Sequence, residues 1–175
     1  MIELLILNSL LKQELTMYGI SKSIEENFAA FTKPSFGAIK PALRRLETAG
    51  YISLRKMMSD GGKLSVFYTV TKTGKDELVR LLLESLSENP HQFFSNAGIK
   101  LSCAGVLTAD ERKKLFTGIK SLAAIHKKNA ENILNNEYNH LSFYQKIILD
   151  STICEFKNLI TIIEGLEKDN AGNSK

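Results

Sequence analysis

Lys33, Lys40, Arg44, Arg45, Arg55, Lys56, Lys63, Lys72 and Lys75 crowd into residues 33–75, with only Glu47 and Asp60 against them. Side chains of this type at this density bind phosphate: a run of cations displaces the counterions of a polyanion, and lysine or arginine on a helix can also reach base edges. The chain as a whole carries a formal charge of only +4 over 175 residues, so everything outside the segment is slightly acidic. The placement of the charge, more than its total, points to nucleic acid.

Other chemistry finds no constellation. His91, His126 and His140 are scattered without the spacing of a metal site, and each is expected at the surface. Cys103 and Cys154 stand far apart among apolar helical neighbours and read as buried free thiols of a cytoplasmic protein. No serine sits in a nucleophile elbow and no glycine loop reads as a phosphate cradle, so neither an enzyme nor a cofactor is expected. Phe93 with Phe94, and Phe143 with Tyr144, could line a pocket for an apolar or aromatic small molecule, or could simply pack a core.

The elements that must position the cations read as a mainly α chain. A helix is predicted to begin at Ser35, whose hydroxyl can cap it, and to stop at Gly50. Ile39, Leu43 and Leu46 fall on one stripe of it, while Lys40, Arg44, Arg45 and Glu47 lie mostly off that stripe. Two strand-like runs follow, 51–57 and 64–70, around the turn residues Asp60, Gly61 and Gly62. Upstream, helices are predicted over about 2–13 and 18–31, the second carrying Ile20, Ile24 and Phe28. Downstream, Thr71 opens a helix with Leu78, Leu81, Leu82 and Leu86 that Asn89 and Pro90 are expected to end. Helix, helix, helix, hairpin, helix is the order of a winged helix-turn-helix with a two-stranded wing.

The second half contains two capping-box signatures, Thr108 with Glu111 and Ser142 with Gln145, each opening a long amphipathic pattern, over about 109–138 and 143–168. The apolar positions of the last helix, among them Ile148, Leu159, Ile162 and Leu166, form too broad a face for one partner helix. Burial against a second copy is expected. The domain boundary is placed at 88/89: residues 1–88 bind DNA, and residues 89–175 form a helical dimerisation and effector region with a polar tail expected to fray. The run Ile2 to Leu11 has Glu3 where a signal peptide carries positive charge, and it is too short to span a bilayer. With 43% hydrophobic and 24% charged residues the composition is that of an ordinary globular chain, expected in the cytoplasm.

MYGISKSIEENF (residues 17–28), SFGAIKPALRRLETAGYI (35–52) and VFYTVTKTGKDEL (66–78) together resemble the PadR-type transcriptional regulators. The likeness is carried by about the first 85 residues; the second half is similar in architecture and length only, to the subgroup with a long helical C-terminal region. The resemblance implies a bacterial homodimer, generally a repressor released by a small molecule or stress signal, reading a palindromic operator. The residues expected to touch DNA are Tyr18, Lys33, Ser35, Phe36, Gly37, Lys40, Arg44, Lys56, Lys63 and Tyr68. Lys40 and Phe36 stand where the family commonly has tyrosine, and Pro41 inside the helix implies a kink or an early 3₁₀ turn. A protein-binding winged helix without specific DNA recognition is the alternative.

Overall fold

The computed structural model describes residues 1–58, 62 and 64–172. The chain divides into two compact units, Met1–Glu84 with Gly98–Val106, and Ser85–Ala97 with Leu107–Lys175.

The first unit is built around helix α1 (Ile2–Ser9), in which the consecutive residues Leu4, Leu5, Ile6 and Leu7 are all buried. A helix apolar on all sides needs neighbours on all sides. They are α2 (Met17–Phe28), α3 (Phe36–Thr48) and α4 (Lys72–Leu83), each packed on α1 through one stripe: Ile20, Ile24 and Phe28; Ile39, Ala42, Leu43 and Leu46; Leu78, Leu81 and Leu82. Each fully buried leucine or isoleucine contributes about 1.5–3 kcal/mol. The spacing of these apolar positions therefore fixes which face of α3 is left outside.

Between α3 and α4 the strands β2 (Ile52–Met58) and β3 (Leu64–Val70) form an antiparallel hairpin. Gly62 takes φ +75° at its turn, while Asp60, Gly61 and Lys63 lie outside the described residues. A two-residue strand, β1 (Leu15–Thr16), adds to the free edge of β3 with Leu15 opposite Tyr68, making the sheet three-stranded. Sequence periodicity cannot reveal so short a strand.

Two helix ends differ from expectation. Ser35 precedes α3 without a side-chain cap; its carbonyl instead accepts from the N–H groups of Ala38 (2.9 Å) and Ile39 (3.1 Å), a first turn of mixed 3₁₀ and α character. The helix runs on through Pro41. Asn89 and Pro90 do not end α4, which stops at Leu83 and leaves Leu86 outside it. They start α5 (Pro90–Ser102): the Asn89 carboxamide accepts from the N–H groups of His91 and Gln92 at 3.1 and 3.2 Å, and proline suits the first helical position because that N–H has no partner anyway.

In the second unit, α6 (Ala109–Asn135) and α7 (Phe143–Gly172) pack as an antiparallel pair, tied near their ends by Arg112 to Asn170 (2.7 Å) and by Lys120 to Glu167. Both capping boxes form: Glu111 accepts from the Thr108 N–H at 2.8 Å, and Gln145 from the Ser142 N–H at 2.8 Å. Thr108 thereby holds the Glu111 carboxyl below its ordinary range.

His126 is buried between Phe93 and Phe156, with ring centroids 5.2 and 5.5 Å away, and is not the surface residue expected. It continues the stripe of Ile119, Ala123 and Ala130, a helical period that would have located it. Cys103 is buried, which pushes its thiol up to about 12, but Cys154 is exposed.

Candidate DNA interface

Helix α3 is held at its C-terminal end. Gly50, at φ +73°, turns the chain out of the helix, and the next carbonyls are gripped by the start of α4. The Thr71 hydroxyl donates to the carbonyls of Gly50 (2.8 Å) and Tyr51 (3.0 Å), the Thr73 hydroxyl to Gly50 (3.1 Å), and the Thr71 N–H to Tyr51 (3.0 Å). The Thr71 oxygen also accepts from the Gly74 N–H as the cap of α4. This is the physical content of the TKTG phrase.

The outer face of α3 forms one wall of a cleft of about 600 Å³. Lys40, Leu43, Arg44 and Glu47 line that wall, Leu64, Ser65, Val66 and Tyr68 of β3 the other, and Thr16, Met17 and Tyr18 the floor. Of the residues expected to touch DNA, Tyr18, Lys40, Arg44 and Tyr68 thus meet around one space. Burial first, and then the charge of Glu47, raise the Tyr68 phenol above its ordinary value, with Arg44 opposing; it remains a hydrogen-bond donor at neutral pH. Lys56 stands opposite Val66 and so shares the hairpin face turned to the cleft. Ser35, Phe36 and Gly37 are exposed at the start of α3. Lys63 lies outside the described residues.

The basic cluster is partly neutralised from a distance. Arg45 meets Glu3 at 2.7 Å, Arg55 meets Glu14, and Lys33 meets Glu25 at 2.6 Å, which raises the lysine's pKa. Among the described residues, Lys40, Arg44 and Lys56 form no ion pair. Lys72 and Lys75 at the start of α4 likewise form none among the described residues, so the cluster's unpaired cations are those of the cleft wall, the wing and the first turn of α4, a selection that the linear sequence does not display.

The other expected groups lie in the second unit. Phe93 and Phe94 pack with Phe156, Phe94 stacking on it at 4.5 Å. Phe143 and Tyr144 form a separate exposed pair at the start of α7, several turns before Phe156, so the four aromatics do not gather in one place. Ile148, Ile162 and Leu166 are exposed along α7 and Leu159 is half-buried.

A core of four helices with a hairpin wing, and cations on the outer face of the third helix that form no ion pair among the described residues, define a winged helix-turn-helix domain. Residues 6–80 match the model of the transcriptional regulator PadR-like family, so this domain is PadR-like. It is 24% identical over 168 residues to the negative transcriptional regulator PadR of Bacillus subtilis (strain 168), covering 92% of each chain. Among solved structures it is similar to Bacillus subtilis PadR in complex with operator DNA, at 22% identity and TM-score 0.44 over 96% of this chain and 98% of that one. A PadR family transcription regulator from Clostridium difficile R20291 is 30% identical with TM-score 0.39, over 44% of this chain and 78% of that one.

Proposed function

We propose that this protein is a sequence-specific repressor that binds a palindromic operator as a homodimer and is released by an apolar or aromatic small molecule. The observation that carries the reading is the pair Lys40 and Arg44, unpaired on the outer face of a helix whose other face is core. In this reading residues 1–88 bind DNA, with α3 in the major groove, Lys40 and Arg44 toward base edges, and Tyr18, Ser35, Phe36, Gly37, Lys56 and Tyr68 toward the backbone. The negative regulator PadR, similar along nearly its whole length, supports repression.

Residues 89–175 serve dimerisation and effector binding. Phe143, Tyr144, Ile147, Ile148, Ile162 and Leu166 of α7 are all exposed in the single chain, more apolar surface than one helix leaves to water in a monomer. A second copy covering Ile148, Leu159, Ile162 and Leu166 would set two recognition helices about 34–36 Å apart, one turn of DNA. A small molecule against Phe93 and Phe94 need only favour a different separation to release the operator. The protein acts as a regulator and not as an enzyme, in the cytoplasm with the chromosome; no helix among the described residues is long and apolar enough to cross a membrane.

The test is a titration of the full chain on operator duplex, recovered from a random pool, at salt from about 50 to 200 mM. Several phosphate contacts predict a linear fall of log affinity with log salt, over about three decades or more. A flat response, or no duplex recovered, would leave a protein-binding module instead.

A further inference from the structure

The hairpin carries an apolar end that phosphate binding does not explain. Leu54, Lys56 and Met58 stand directly opposite Tyr68, Val66 and Leu64, so these six side chains share one face. It is the face mainly turned to the cleft, since three of the four β3 residues that line it, Leu64, Val66 and Tyr68, belong to it and only Ser65 does not. Met58 and Leu64 pair at the far end and are 70% and 56% exposed. Lys63, next to Leu64 in the sequence, can serve phosphate, but it does not explain the apolar pair, for which water is a poor neighbour.

The cleft indicates what covers them. If α3 lies in the major groove, the strand of sugar and phosphate bordering that groove occupies the cleft, between the α3 wall and the β3 wall. Beyond that strand is the minor groove, and the hairpin face reaches toward it with Lys56 placed to hold the phosphates in passing. Methionine and leucine are among the residues that wedge between base steps from the minor groove, where walls of deoxyribose are apolar and unstacking opens a dry slot. We propose that Met58 and Leu64 form an apolar wedge that enters the minor groove beside the major groove read by α3. The proposal rests on the DNA-binding reading above. The wedge favours operators with a flexible pyrimidine–purine step at that position, selected by ease of deformation and not by a hydrogen bond.

The experiment compares the full-length parent with Met58→Ser and Leu64→Ser, alone and combined, on the operator, with 2-aminopurine placed in the step under the wing. Both side chains are exposed, so the folded chain tolerates the change, which melting curves check. Each single variant should lose about tenfold in affinity, the scale of one apolar side chain returned to water, and the double variant more. Its salt slope should stay that of the parent, because no phosphate contact is lost. The parent should brighten the 2-aminopurine by unstacking it and the double variant should not; Met58→Leu, which keeps an apolar side chain, should retain both the affinity and the brightening. Unchanged affinity and fluorescence in the double variant, while Lys40→Ala and Arg44→Ala weaken binding, would overturn the wedge and leave the DNA reading standing. A loss that came with a reduced salt slope would also overturn it, in favour of a phosphate contact. Failure of the parent to bind any duplex would remove the DNA reading and the wedge together.

Discussion

A side chain on Gly74 would place its Cβ 1.9 Å from the carbonyl oxygen of Tyr51. The close approach lets Thr71 and Thr73 reach the Gly50 and Tyr51 carbonyls just past the end of α3, so glycine is required for contact and not for an unusual φ.

Gly74→Ala should therefore unfold or grossly loosen the winged unit, costing at least about 3 kcal/mol, at the far end of what single substitutions do. Gly118→Ala is the control. Nothing lies within 4 Å of a Cβ there, so in the middle of α6 it should stabilise by about 0.5–1 kcal/mol. Thermal melts of the two variants should move in opposite directions; equal behaviour would place the backbone of α4 elsewhere.

Arg44 and Arg45 are adjacent, yet only Arg45 is held by an acid of its own chain. Arg44→Ala should cost about 1–3 kcal/mol of operator affinity if it reads a base edge, and Lys40→Ala a similar amount. Arg45→Ala should change affinity by well under 1 kcal/mol, since an exposed ion pair is also worth little to folding. Fluorescence anisotropy on labelled operator checks this, and a larger effect of Arg45 than of Arg44 would reverse the assignment of faces.

Ile148 and Ile162 are exposed in the single chain, so Ile148→Glu and Ile162→Glu should leave the fold intact. In a dimer each would bury an unpaired charge at a cost of several kcal/mol. Sedimentation should report monomers that have lost operator binding. A dimer unchanged in both variants would move the interface off this face of α7.

The Nε2 of His126 is buried without a hydrogen-bond partner among the described residues. Burying such an atom costs about 1–3 kcal/mol, so His126→Phe, which keeps the ring packing with Phe93 and Phe156, should melt no lower than the parent. His126→Ala should melt lower through the cavity it leaves. A marked loss with phenylalanine would show that Nε2 finds a partner in the assembled protein.

Legibility followed the range of the interactions. The stripe Ile39, Leu43, Leu46 and the break at Gly50 are set within a few residues, so helix, hairpin and following helix could be read in order. Asn89 and Pro90 misled because one dipeptide serves both as a stop and as a cap with first helical residue, and only the hydrogen bonds of Asn89 decide. Glu3 and Glu14 neutralise arginines 42 and 41 residues away, a pairing no local pattern announces. The floor of the cleft at Thr16 and Met17 was equally hidden, being brought beside Tyr68 by a strand of two residues.

The threonine hydroxyls on the Gly50 and Tyr51 carbonyls have a thermodynamic consequence. The last turn of a helix ordinarily frays, its bare carbonyls exchanging among water molecules. Here the N–H groups of Ala49, Tyr51 and Gly50 donate to the carbonyls of Arg45, Leu46 and Glu47, and the threonine hydroxyls fix the two residues that follow, so α3 would meet a partner already ordered at this end. The entropy of stiffening it is lost once, during folding, and is not deducted from the free energy of every encounter with a site.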